Sequence, residues 1–198
     1  MRPAEAVAFI RAGAEGLLRR VGLFERRCVH CLAPFVPASE EETDGMPLWQ
    51  RECSQLLCAS CRKLVIRREE GFCPYCGEPS PVADAPCMPC EKCLRRLPPW
   101  DGFLFLGIYE GCLRDMVLKG KFGGGVPSLE ALGRMLGGIC REEYEVSQRP
   151  DVIIPMPLHR KRLVSRGFSQ CVELCRPMAC AIGVPVRNDL LFRDGESA

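Results

Sequence analysis

The sequence predicts an α/β protein in which a cysteine-rich N-terminal module precedes a module with parallel strands. Ten of the fifteen cysteines lie between Cys28 and Cys93. Further along, the continuous apolar run 152–154 is stopped by two prolines, which is typical of a strand buried in a parallel sheet. We therefore expect three segments, an N-terminal helix in 1–26, the cysteine-rich module in 27–100 and the second module in 101–198.

Most of the clustered cysteines come in pairs separated by two residues. The pairs are Cys28 with Cys31, Cys58 with Cys61, Cys73 with Cys76, and Cys90 with Cys93. A Cys-x-x-Cys turn directs two thiolates toward one point, and two such turns supply the four soft ligands that Zn²⁺ prefers. The spacing therefore predicts a double zinc ribbon with two zinc ions.

The assignment of ligands to the two zinc ions follows chain order. The first site takes Cys28, Cys31, Cys58 and Cys61, and the second takes Cys73, Cys76, Cys90 and Cys93. An interleaved pairing remains an alternative, as does Cys87 in place of Cys93. We interpret Cys53 as a spare thiol and His30 as an exposed residue of the first turn rather than a ligand.

Three other uses of cysteine fit the spacing less well. A disulfide framework requires an oxidising compartment, but the apolar run Ala6–Ile10 is interrupted by Arg11 before it reaches the length of a secretion signal. Iron–sulfur clusters group three cysteines with a distant fourth, and only 87–93 resembles that pattern. A thioredoxin-type site has a single Cys-x-x-Cys.

The small net charge and the short apolar runs argue against two classes of function. A net charge of +2 over 198 residues is too small to indicate nucleic-acid or membrane binding by global electrostatics, so any anion site must be local. No apolar run approaches the roughly 18 to 20 residues that cross a bilayer. We expect a cytoplasmic protein without a membrane span.

The N-terminal segment 4–24 has apolar residues three or four positions apart, which predicts an amphipathic helix that packs on the rest of the chain.

Beyond Trp100, the run 103–109 predicts a strand and the segment 112–119 predicts a helix. Ser128 is the predicted cap of a further helix over 129–143. Between these helices, Lys119 and Lys121 adjoin a glycine-rich turn that can contact phosphate, although it lacks the order of a P-loop.

The segment after the predicted strand 152–154 is basic. No acidic residue lies between Asp151 and Glu173. Ligands of open α/β sheets bind beyond the carboxyl ends of the strands, and Gly167 is predicted to open a helix, extending to Ile182, whose N-terminus favours anions. The candidate phosphate ligands are Lys119, Lys121, Arg160, Lys161, Arg166 and Gly167. The alternative is a solvated basic loop.

Taken together, these motifs resemble the ComF family of double-zinc-ribbon, phosphoribosyltransferase-like proteins linked to DNA uptake in competent bacteria. The resemblance is carried by Cys-Pro-Tyr-Cys-Gly at 73–77, Pro-Met-Pro-Leu-His at 155–159 and Arg-Gly-Phe-Ser-Gln at 166–170. It implies a type I phosphoribosyltransferase fold after Trp100, with the basic residues near the phosphate end of its site. In intact relatives, Mg²⁺ would accompany phosphoribosyl pyrophosphate.

One departure from the family bears on catalysis. The family's loop for phosphoribosyl pyrophosphate, roughly Asp-Asp-x-x-Thr-Thr-Gly, does not occur in this sequence. We therefore interpret the second module as incomplete and the chain as a truncated member, and the sequence identifies no catalytic residue. Two hypotheses follow, a phosphoribosyltransferase-family protein of DNA uptake, or a zinc-ribbon module that binds single-stranded DNA or a protein partner without catalysis.

Overall fold

Helices account for most of the regular structure in the computed structural model, which describes residues 25–122 and 125–193. The two strands are β1 (Arg26–Arg27) and β2 (Pro34–Phe35). The helices are α1 (Glu40–Thr43), α2 (Leu48–Glu52), α3 (Ala59–Leu64), α4 (Glu91–Arg95), α5 (Gly111–Lys121), α6 (Val126–Glu143), α7 (Arg160–Arg166) and α8 (Gln170–Ile182), with a 3₁₀ turn at Val146–Gln148. The helix predicted for 4–24 lies outside the described residues.

Helix α6 is the centre of the core. Its buried positions Leu132, Met135 and Ile139 recur three and four residues apart, so they share one face of the helix. The helix packs on α8, on α2 and on α5. Its contact with α2 is close, since a Cβ at Gly138 would lie 2.6 Å from the Cα of Trp49.

The core joins the cysteine-rich module to the helices that follow it. One hydrophobic cluster contains Cys28, Trp49 and Leu57 together with Met116 and Ile139. Burial of these side chains therefore stabilises the first cysteine cluster and helices α5 and α6 as one unit.

The strand predicted for 103–109 does not form, and this prediction was wrong. The segment has no regular structure; the carbonyl of Leu106 instead accepts a hydrogen bond of 3.3 Å from the backbone of Arg68. The ring of Phe105 packs edge-on against Phe72 with centroids 4.9 Å apart. The segment is therefore a connection whose apolar side chains pack into the core. Its residue types resemble those of a strand because both kinds of segment bury apolar side chains.

Two predicted helix starts are also corrected. Helix α6 begins at Val126, so Ser128 lies inside its first turn, and its hydroxyl lies 3.5 Å from the carbonyl of Val29. Gly167 ends α7 in the left-handed conformation (φ 76°), and α8 begins only after Ser169. Glycine is suited to this position because it has no Cβ to clash. The helix predicted over 112–119 is confirmed as α5.

Strand pairing occurs at three places in the described residues, one of them an isolated antiparallel bridge between Phe72 and Pro79. Strands β1 and β2 pair antiparallel around the first cysteine turn. Ile153 and Val186 form a single parallel bridge, in which Ile153 receives a hydrogen bond from Arg187 and donates one to Pro185. The parallel direction agrees with the strand predicted at 152–154, whereas the phosphoribosyltransferase-like fold stays a prediction.

None of the helices in the described parts of the chain combines the length and the apolar character that a membrane crossing requires.

The two tryptophans give a matched test of the shared core. Trp49 is 5% exposed within it, and Trp100 is 49% exposed. Trp49→Ala should lower the free energy of unfolding by about 3–5 kcal/mol, because it leaves a large cavity. Trp100→Ala should cost about 1 kcal/mol, the typical value of its hydrogen bond to the carbonyl of Tyr75. Urea denaturation measures both, and equal losses would contradict the shared core.

Candidate metal centres

Four cysteine sulfurs converge at each of two points. In the first cluster, the Sγ atoms of Cys28, Cys31, Cys58 and Cys61 all lie within 4.8 Å of one another. In the second cluster, the Sγ atoms of Cys73, Cys76, Cys90 and Cys93 do the same. The structure thus brings the cysteines together in the sequential grouping and not in the interleaved one.

Local backbone structure shapes the first cluster. The turn from Cys28 to Cys31 lies between β1 and β2 and is closed by a 3.0 Å hydrogen bond from Cys28 to Ala33. The second pair lies at the start of α3, where Cys58 is the residue before the helix and Cys61 is within it. A hydrogen bond of 3.0 Å from Val29 to the carbonyl of Leu56 holds the two turns side by side.

The second cluster is built in the same way. Its first turn ends at Gly77, whose N–H donates to the carbonyl of Cys73 at 2.8 Å and whose φ of 74° suits glycine. Cys90 precedes α4 and Cys93 lies within it. Each cluster therefore combines one tight turn with one helix N-terminus, whose free amide groups favour negative charge.

The sulfur spacing fits a tetrahedral metal ion. A Zn–S bond of about 2.3 Å places two sulfurs of a regular tetrahedron about 3.8 Å apart. The Sγ atoms of Cys31 and Cys58 are 3.8 Å apart, and those of Cys76 and Cys90 are 3.7 Å apart. A disulfide would require about 2.05 Å. The donor set and spacing thus suit Zn²⁺ in two closed, four-sulfur sites.

The thiols of the first cluster differ in acidity. Burial acts to raise the pKa of Cys28, but backbone N–H groups of Cys31, Cys58 and His30 point at its sulfur and lower the pKa to about 7. Burial and the neighbouring sulfurs raise the pKa of Cys61. One thiol of the cluster ionises readily, and a divalent cation is needed to hold all four as thiolates.

The thiols of the second cluster also differ in acidity. Burial opposes ionisation of Cys73, yet the backbone N–H groups of Cys90, Tyr75 and Cys76 bring its pKa down to about 6. Burial and the adjacent sulfurs raise the pKa of Cys93.

Two further cysteines near the clusters are outside them. Cys87, the alternative to Cys93, points its sulfur at the carbonyl of Glu69, 3.6 Å away. Cys53 is fully buried and donates to the carbonyl of Gln50 at 3.2 Å, and burial raises its pKa to about 12. The position of Cys53 agrees with its interpretation as a spare thiol, and the second cluster contains Cys93 and not the alternative Cys87.

His30 lies closer to the first cluster than the sequence suggested. Its side chain is only 17% exposed, so the expectation of an exposed residue was wrong. Its Nδ1 lies 3.4 Å from the Sγ of Cys61, and its Nε2 lies 3.8 Å from a carboxylate oxygen of Asp115. Its position inside a Cys-x-x-Cys turn was the sequence signal that it lies near the metal ligands. The contact with Asp115 depends on tertiary structure and had no such signal.

The candidate phosphate ligands fall on two helices. On α5, the ammonium of Lys119 donates to the carbonyl of His30, and that of Lys121 lies 5.9 Å from the ring centroid of Tyr109. Lys119 is therefore engaged with the first cysteine turn. On α7, the guanidinium of Arg166 lies 5.7 Å from the ring centroid of Phe122, the residue that follows α5.

The remaining candidates lie along α7. Arg160 and Gly167 line a cavity of about 590 Å³. Lys161 lies on α7 and its backbone N–H donates to Nδ1 of His159 at 3.3 Å. The structure thus brings Arg160 and Gly167 to the edge of one cavity, whereas Lys161 and Arg166 do not line it and Lys119 is directed toward the first cysteine turn.

Comparison with known proteins identifies relatives of this chain. It is 33% identical over 133 residues to the DNA utilization protein YhgH of Salmonella typhi, which covers 64% of this chain and 55% of that protein. It is 26% identical to Competence protein F of Haemophilus influenzae, over 87% of this chain and 68% of that protein. It is 25% identical to Competence protein ComFC of Bacillus subtilis, over 75% of this chain and 60% of that protein.

These similarities confirm the resemblance to the ComF family drawn from the sequence. The chain spans about half the length of the DNA utilization proteins that it matches. No family model and no solved structure matches it.

Metal content tests the two clusters. The purified chain should contain about two zinc ions, measured by inductively coupled plasma and native mass spectrometry, because each cluster offers four thiolates. Cys73→Ser should reduce this to about one ion and unfold the second ribbon, because structural zinc contributes folding free energy directly. Cys87→Ser is the matched control and should retain both ions. Loss of an ion from the Cys87 variant, or iron in the wild type, would contradict the assignment.

Proposed function

We propose that this homologue of competence and DNA utilization proteins is a double zinc ribbon protein of DNA uptake that binds the phosphates of single-stranded DNA. The eight clustered cysteines would hold two zinc ions. Because all four positions at each ion are taken by thiolates, the metal would supply structural cross-links and no open site for a reacting group.

The observation that carries the proposal is a basic cavity between α7 and α8. The cavity of about 590 Å³ begins at Pro155–Leu158, directly after the parallel bridge residue Ile153. This is the location where open α/β folds bind ligands, beyond the carboxyl end of a parallel strand.

The charged side chains that line this cavity are mostly cationic. They are Arg160, Arg176, Arg193 and the single carboxylate Glu173. Glu173 is paired with Arg176 at 2.8 Å, which leaves the positive charge of the other two arginines uncompensated by the lining. Arginine binds phosphate oxygens through two parallel N–H donors, so this lining favours a phosphorylated ligand.

Polar groups at the start of α8 add to the same site. The hydroxyl of Ser169 lines the cavity, is buried and has no hydrogen-bond partner, and the amide nitrogen of the adjacent Gln170 is likewise buried and unpaired. No side chain caps the helix. A phosphate oxygen would accept hydrogen bonds from Ser169 and from the first amide groups of α8, since a helix N-terminus favours anions.

A second surface, formed by Tyr75 and Trp100, could bind the bases of single-stranded DNA. Tyr75 and Trp100 are 42% and 49% exposed, and the indole N–H of Trp100 donates to the carbonyl of Tyr75 at 2.7 Å. Exposed aromatic rings on a rigid knuckle provide stacking platforms for unpaired bases. This favours the alternative in which the zinc ribbon itself binds the strand.

The residues that line the cavity do not form a magnesium site. Glu173 is the carboxylate among them, and it is engaged with Arg176 at 2.8 Å. Two adjacent carboxylates would be needed to coordinate Mg²⁺ with the ribose hydroxyls.

A triple variant tests the basic cavity. Arg160→Ala, Arg176→Ala and Arg193→Ala together remove the arginines that line the cavity, and this variant should weaken binding of a fluorescent oligo(dT) strand in anisotropy titrations. Because each lost phosphate contact reduces the salt dependence, the slope of log K against log salt should decrease by about 2.

The control removes the same charge elsewhere. Arg51, Lys63 and Arg114 are exposed basic residues that do not line the cavity, so their triple alanine variant should keep most of the affinity and slope. Equal losses of affinity in the two triple variants would reject the cavity as the binding site. Loss of binding in Tyr75→Ala and Trp100→Ala alone would favour the zinc-ribbon alternative.

Calorimetry with phosphoribosyl pyrophosphate tests whether the cavity binds a ligand with Mg²⁺. The chain should show no heat of binding that depends on Mg²⁺, because Glu173, the carboxylate of the cavity lining, is paired with Arg176. Magnesium-dependent binding by the folded 198-residue chain would restore the enzyme hypothesis.

A further inference from the structure

We infer that His30 protects the metal-bound Cys61 thiolate from electrophiles by donating an N–H hydrogen bond to its sulfur. The inference deepens the proposed function and rests on its first metal site. It concerns the first site only, because the residue at the corresponding position of the second site is the exposed Tyr75.

The imidazole is well placed for this hydrogen bond. Its Nδ1 lies 3.4 Å from the Sγ of Cys61, and both side chains are largely buried. Four thiolates around a divalent cation carry a formal charge of about −2, and N–H donors in the surrounding shell stabilise this charge. A sulfur whose lone pair accepts a hydrogen bond is a weaker nucleophile.

Helix α5 holds the ring in place from the other side. Its Nε2 faces the Asp115 carboxylate at 3.8 Å, and the carbonyl of His30 accepts a hydrogen bond from the ammonium of Lys119. Asp115 and Lys119 are four residues apart and therefore lie on the same face of α5. Helix α5 thus holds the backbone of His30 through Lys119 and places the Asp115 carboxylate opposite its ring.

The second cluster provides a comparison within the molecule. Tyr75 occupies the same place between Cys73 and Cys76 that His30 occupies between Cys28 and Cys31. Its carbonyl also accepts a hydrogen bond from a distant side chain, the indole of Trp100. However, Tyr75 is 42% exposed, whereas the side chain of His30 is largely buried against Cys61.

Alkylation by N-ethylmaleimide measures how well the thiolates of the first site are protected. A thiolate sulfur adds to the alkene, a carbon–sulfur bond replaces the π bond, and a proton from water completes the adjacent carbon. The resulting thioether is a poor ligand, so zinc is released and a chromogenic chelator reports it. The inference is tested on the release rate of the first site, compared between the fully zinc-loaded wild type and variants of His30.

Two variants of His30 separate hydrogen bonding from packing. His30→Phe keeps a planar ring without a donor and should accelerate release of one zinc ion about fivefold, the size expected for loss of one hydrogen bond. His30→Asn places an amide N–H near the position of Nδ1 and should restore slow release. The rate for the second ion should be the same in all three proteins.

Zinc content separates failure of the inference from failure of the proposed metal site. Both variants should retain two ions, because His30 is not a ligand. Three outcomes would overturn the inference while the wild type still holds two zinc ions. They are loss of an ion from both variants, an unchanged release rate in His30→Phe, and fast release in His30→Asn.

Asp115→Asn, at an exposed position, should also accelerate release from the first site, and an unchanged rate there would overturn the role of α5. A wild type without zinc would refute the proposed metal site itself.

Discussion

Convergence of four cysteine sulfurs at each of two points is the constraint on which the rest of the structure depends. Strands β1 and β2 have two residues each, and α1 to α4 have four to six. Elements this short are not stable by themselves in water. Metal coordination at the two clusters would supply the missing free energy, because binding occurs only to the folded arrangement.

The first cluster also organises the helices behind it. Cys28 and Cys61 are part of the same apolar cluster as Met116 of α5 and Met135 of α6. The Lys119 contact and the Asp115 contact add polar links between α5 and the first cysteine turn. Since α6 in turn packs on α8, the metal site supports the helix whose N-terminus borders the basic cavity. Folding of the zinc ribbon and formation of the anion site are therefore coupled in this account.

Local features of the chain were predictable from the sequence, and features that depend on distant residues were not. The spacing of the cysteine pairs indicated both clusters because a Cys-x-x-Cys turn fixes its geometry within four residues. The helices α5 and α6 were likewise predicted, although the residue at which α6 begins was not. The run 103–109 was mistaken for a strand, because packing against Phe72 selects the same residue types as a sheet does. The environment of His30 depends on α5, which lies more than 80 residues away in the chain, so no local pattern revealed it.

X-ray absorption at the zinc edge tests the central claim most directly, because it reports the ligands of every bound ion without any substitution. The account predicts a single shell of four sulfurs per zinc at about 2.3 Å, averaged over both sites, with no nitrogen or oxygen ligand. A shell that includes a nitrogen at about 2.0 Å, or fewer than four sulfurs per ion, would contradict the assignment of the eight cysteines and the role of His30 outside the ligand set.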